Sequence, residues 1–173
     1  MYTFEVNGKR HEVTEDVNLL EYLREQAGLT SVKNGCAEGA CGSCTVLLDG
    51  KAVRACTQSA SKVRDKKILT AEGLSCREKE IYAWAFSAAG AVQCGFCIPG
   101  MVIGAKGLLD VTPEPTRVQI KEALKGNLCR CTGYVKIERA VEMAAKALLD
   151  PRFAVPPVWD RSYSLGERMP RVD

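Results

Sequence analysis

The chain has 173 residues, 46% hydrophobic and 26% charged, enough for one domain or two small ones around a modest core. A net charge of +3 and 6% aromatic content leave no basic stripe interleaved with aromatic rings, so the grooves that bind nucleic acid are excluded. The opening MYTFEVNGKRHEV has no apolar signal core and no stretch approaches the roughly 20 apolar residues of a membrane span, so the sequence points to the cytoplasm.

In chain order, Thr3 to Val13 alternates as a strand does, and Asn7-Gly8 in its middle predicts a tight hairpin turn. Asn18 is placed to cap a helix whose Leu19, Leu20 and Leu23 share a face, closed by Gly28. A glycine-rich loop from Asn34 to Cys44 follows. Thr45 to Leu48 and Ala52 to Cys56, joined at Asp49-Gly50, read as a second hairpin, and a short strand at Ile68 to Thr70 completes a small mixed sheet. After Gly73 the texture changes. Glu78 to Ala89, Met101 to Leu109, Arg117 to Leu124 and Tyr134 to Leu149 are helical in composition and spacing. The reading is α+β: a β-rich domain over 1–75, an all-α domain over 76–150 and an extended, proline-bearing tail over 151–173.

The nine cysteines carry the chemistry. A reducing compartment keeps ordinary thiols unpaired, so this density argues for metal ligands. Cys36, Cys41, Cys44 and Cys56 form one group, Cys94, Cys97, Cys129 and Cys131 another, and Cys76 between them matches no ligand position and reads as a bystander. The first group has the plant-type ferredoxin spacing, with three ligands on one loop and the fourth on a nearby strand, which fits a [2Fe-2S] cluster. Gly35, Gly39 and Gly42 let the loop wrap an anionic cluster and aim backbone N–H groups at it. Structural zinc competes, although zinc ribbons pair two short Cys-x2-Cys knuckles.

In the second group, Cys94-x2-Cys97 and Cys129-x-Cys131 lie about thirty residues apart, so the fold must bring the two pairs together. Pro99 suits the first turn of a helix after Cys97, and Gly133 and Tyr134 open the last helix, so two positive helix ends converge on one anionic site. Zinc competes here too. A thioredoxin-like redox pair would leave Cys129 and Cys131 unexplained. His11 reads as a surface residue of the first hairpin. A phosphate-binding loop around Gly35 to Gly42 fails for want of the Gly-Lys-Ser/Thr ending.

Together NGCAEGACGSCTVLLDG, AVQCGFCIPGM and GNLCRCTGY resemble the iron-sulfur component of the molybdenum hydroxylases, the xanthine dehydrogenase family, over residues 2 to 150. The resemblance implies a ferredoxin-like β-grasp domain followed by a four-helix-bundle domain, each holding one [2Fe-2S] cluster. It further implies that Cys94, Cys97, Cys129 and Cys131 hold the cluster next to a molybdenum-pterin cofactor, and that Cys36, Cys41, Cys44 and Cys56 hold an outer cluster facing an FAD or other acceptor. Gln93, directly before Cys94, takes the family's pterin-contacting position. The implied partners are a molybdenum-cofactor-binding subunit or domain and an FAD-binding subunit. Gly166 to Asp173 resembles the opening of the molybdenum-binding part, so residues 151–173 are expected to be ordered by that partner. The chain's own role is to relay electrons, with substrate chemistry elsewhere. Two other readings stay open: a free-standing ferredoxin-type carrier, and a zinc-stabilised interaction module.

Overall fold

The computed structural model describes residues 1–156. Five strands, β1 (Tyr2–Val6), β2 (Lys9–Val13), β3 (Thr45–Leu48), β4 (Lys51–Arg54) and β5 (Lys67–Leu69), form one sheet in the order β2-β1-β5-β3-β4. It is mixed as read from the sequence: β1 and β5 run parallel and every other neighbour antiparallel. The first hairpin turns at Asn7 and Gly8, both with positive φ, as a tight two-residue turn demands. Asn7 also accepts from the Thr70 N–H and donates to its hydroxyl, each at 2.9 Å, which ties the turn to the end of β5.

Helix α1 starts at Leu19, capped by the Asn18 carboxamide, and its second half, Tyr22–Gln26, widens into a π turn closed by the Ala27 N–H on the Tyr22 carbonyl. Four further helices are α2 (Cys76–Ala88), α3 (Ile98–Leu109), α4 (Arg117–Leu124) and α5 (Val135–Leu149). Helix α2 begins before the expected Glu78, because Ser75 and Glu78 form a reciprocal capping box. Helix α3 begins three residues before Met101, with Pro99 in its first turn, where a missing N–H costs nothing.

The two faces of the sheet serve two cores. Val46, Leu48 and Ile68 pack with Leu19, Leu20 and Leu23 of α1, whereas the intervening Leu47 joins Ile81, Phe86, Met101 and Val141 of the helices. Alternation along β3 therefore buries both faces, and α3 lies directly on it. A Cβ added at Gly107 of α3 would stand 2.9 Å from the Leu47 methyl.

Residues 151–155, expected to depend on a partner, pack on this chain's own helical core. The Phe153 ring meets Trp84 at 4.7 Å, and Arg77 donates to the carbonyls of Ala147, Asp150 and Phe153. Burial of an aromatic pair and three satisfied carbonyls is enough to fold this stretch back. The Gly166 to Asp173 motif lies outside the described residues.

A carboxylate fixes the approach to the first cysteine loop. Glu72 accepts from the backbone N–H and hydroxyl of Ser31 and from the hydroxyl of Thr70. Burial pushes its carboxyl up, but these donors prevail and hold it below the ordinary 4.5. A lowered folded value stabilises the protein fully above the unfolded value and less as pH falls through the folded one. Glu72→Gln is therefore expected to cost about 1 kcal/mol at pH 7, a figure reduced for solvent screening. Chemical denaturation should show the gap to wild type closing below pH 4.5, the ordinary value for this group. A gap that persists unchanged in acid would refute the assignment.

Candidate metal centres

The loop before β3 brings its thiols under a canopy of amides. The Glu38 and Cys41 N–H groups each donate to the Cys36 sulfur at 3.4 Å, and Gly39 donates to Cys56 at 3.2 Å. Donation from Cys41 and Glu38 pulls the Cys36 thiol down to about 6. Burial pushes Cys44 up to about 11, with Cys56 beside it. Cys36 neighbours Cys41, and Cys41 in turn acts on Cys44. Cys56 sits on a one-turn helix, Ala55–Thr57, not on the strand expected for it. The turn forms because Ala55 donates to the Cys44 carbonyl at 3.1 Å and Asn18 donates to the Cys56 carbonyl at 2.9 Å, ending the β4 ladder at Arg54.

The second set gathers where α3 and α5 begin. Cys97 is the residue before α3, and Tyr134, at φ 71°, precedes α5. Cys94 and Cys131 are exposed, with sulfurs 3.7 Å apart. Two thiolates on one tetrahedral metal at about 2.3 Å stand about 3.8 Å apart, so this pair has the spacing of ligands sharing one ion. Cys97 and Cys129 form the other pair, and burial pushes Cys97 up to about 12. Burial also works on Cys129, but the Thr132 hydroxyl, 3.1 Å from its sulfur, and the Thr132 and Cys131 amides hold that thiol below its ordinary value. The Cys129 N–H donates to the Tyr134 hydroxyl at 2.9 Å.

Among the described residues, no three or more Cys, His, Asp or Glu side chains gather around a single point that would hold one ion. Pairs are what a dinuclear cluster takes, two thiolates on each iron. Backbone donors aimed at the sulfurs, a Cβ-free Gly35 whose side chain would lie 2.9 Å from the Cys41 sulfur, and two helix N-termini suit an anionic group.

The two sites touch. The Leu128 N–H donates to the Cys41 carbonyl at 2.8 Å, one residue from Cys129. Asn127, 6% exposed, donates to the Gly42 carbonyl at 2.9 Å and to the Thr45 hydroxyl at 3.0 Å. Gly42 is pressed so close that a Cβ would lie 2.3 Å from the Gly126 carbonyl oxygen. Phe96, between Cys94 and Cys97, reaches back to Gly35 beside the first loop. These contacts were not readable from the sequence; the only trace was that Asn127 and Gly42 sit inside the cysteine motifs.

Gln93 is exposed at the rim of the second site. Cys76 is exposed at the start of α2 and joins neither set. His11 is half-buried rather than on the surface, with Nδ1 2.7 Å from the Tyr22 hydroxyl and its ring stacked on Phe4.

Residues 4–79 match the 2Fe-2S iron-sulfur cluster binding domain, and residues 70–142 match the [2Fe-2S] binding domain. The nicotinate dehydrogenase small FeS subunit of Eubacterium barkeri is 47% identical, over 82% of this chain and 92% of its own length. The xanthine dehydrogenase iron-sulfur-binding subunit of Escherichia coli O157:H7 is 46% identical, over 71% of this chain and 79% of its own. The crystal structure of quinoline 2-oxidoreductase from Pseudomonas putida 86 superposes with a TM-score of 0.77 at 41% identity, covering 84% of this chain and 93% of that one.

Proposed function

Because the chain belongs to the iron-sulfur subunits of the molybdenum hydroxylases, we propose that its two sites act in series, the helical one receiving electrons from the molybdenum partner and the ferredoxin-like one delivering them outward. When bound, the two [2Fe-2S] clusters supply one-electron transfer between a two-electron oxidation and its acceptor. The chain is thus an oxidoreductase component whose own residues bind, space and shield these groups.

Cys94, Cys97, Cys129 and Cys131 hold the cluster nearest molybdenum, and Cys36, Cys41, Cys44 and Cys56 hold the outer one, in domains over 76–150 and 1–75. The observation that carries the relay is the Leu128 N–H bond to the Cys41 carbonyl, which joins the ligand loops of the two sites directly; the order follows the family's arrangement. Exposed Val92, Phe96, Leu128 and Val135 surround the second site, as befits a surface that a large partner covers. Gln93 on this rim offers two donors and an acceptor to the edge of a pterin. A separate FAD-binding subunit meets the outer site. Among the described residues no helix is long and apolar enough to cross a membrane. The pocket that selects the substrate lies in the partner.

Metal analysis of the native complex, purified without oxygen or reconstitution, tests the assignment. The expected result is about four irons per chain with molybdenum in the same complex. About two zinc ions per chain and no iron would overturn it in favour of a zinc-stabilised interaction module.

A further inference from the structure

One cation belongs to neither cysteine motif, yet lies between the two sites. Arg54 ends β4 opposite Thr45, so its backbone stands between Cys44 and Cys56. Its side chain turns toward the seam. The Nη2 group donates to the Gly126 carbonyl at 3.2 Å, and a Cβ at Gly126 would lie only 2.5 Å from that nitrogen. On the way Cδ passes 3.9 Å from the Cβ position of Gly39, the residue whose N–H reaches the Cys56 sulfur.

Two features separate this arginine from an ordinary structural one. Its Nε is buried without a hydrogen-bond partner, a state that costs free energy unless something anionic compensates. Among the described residues no carboxylate pairs with it. A half-buried arginine whose Nε is buried and unpaired, with no carboxylate counter-ion and its side chain passing the outer cysteine loop, has one natural complement, the negative charge of the outer cluster.

We propose that Arg54 is a positioning residue that raises the reduction potential of the outer cluster relative to the helical one, so that the outward electron step runs downhill. Accepting an electron adds negative charge to the outer cluster, and a nearby fixed cation favours that reduced state. The helical cluster lies beyond Gly126 and feels the charge less. The inference rests on the two-cluster reading above.

The test is a redox titration of the native complex, following the two paramagnetic signals separately and assigning the outer one by its loss in Cys36→Ser. In Arg54→Gln, which can still hydrogen-bond but is neutral, the outer reduction equilibrium should fall about tenfold, which is about 59 mV for one electron. Arg54→Lys, which keeps the charge, should hold it near wild type. An outer potential unmoved in Arg54→Gln, or moved equally in both variants, would overturn the proposal and leave Arg54 as a clamp on Gly126. If Arg54→Gln does not assemble, Arg54→His decides: its outer potential should fall from acid to alkaline pH more than in wild type, and an identical profile counts against the proposal. Absence of two [2Fe-2S] signals in wild type would instead sink the two-cluster reading itself.

Discussion

Replacing Cys97 by serine in the native complex is expected to remove one of the two paramagnetic signals, halve the iron, and abolish turnover with the external acceptor while molybdenum stays bound. Cys97 is the buried member of its set, 9% exposed, and it immediately precedes α3. Losing a partner that merely orients a metal ligand costs about 10–100-fold in metal affinity, and losing the ligand itself costs more. The outer site keeps all four of its thiols, so its signal should survive. Loss of both signals together would show that the sites load as one unit, and retention of both would remove Cys97 from the ligand set.

A second large effect is expected at Gly42. Its φ of +70° already disfavours a side chain, and a Cβ would press against the backbone of Gly126 and Asn127, which cannot swing aside. The conformational cost alone is about 1–3 kcal/mol, and the clash adds to it. Gly50 offers the comparison, since it has φ +81° but nothing within 4 Å of a Cβ. Gly42→Ala should therefore destabilise the holo-protein clearly more than Gly50→Ala in chemical denaturation, and should disturb magnetic coupling between the two clusters. Equal losses in the two variants would mean that the seam can yield.

The parts of this molecule legible in the sequence are those encoded within a few residues. Asn7-Gly8 announces its turn because few other pairs tolerate two positive φ values in succession, and three clustered cysteines announce a cluster loop because little else needs that spacing. Helix α1 was legible at its cap, but its π turn was not, since nothing local sets that geometry apart. Cys56 was legible as a candidate ligand and misread in its backbone, because the turn that carries it depends on Asn18, 38 residues away. Asn127 and Arg54 were invisible for the same reason. Their partners lie 85 and 72 residues off in sequence, and polar side chains of ordinary type carry no mark of a distant carbonyl. Phe153 was lost to the prolines around it, which suggest an extended tail and say nothing of Trp84.

Strand β3 gives Val46 and Leu48 to one core and Leu47 to the other. A strand committed on both faces cannot leave one core without uncovering the second, so the two halves should share a cooperative unit of unfolding rather than open one at a time. Amides of β3 would then exchange with solvent only when the whole molecule opens, and those of α3, which lies on it, would follow at nearly the same free energy. Local fluctuation at the rim of either cysteine site would leave this shared layer intact, keeping the distance between the sites constant while their edges breathe.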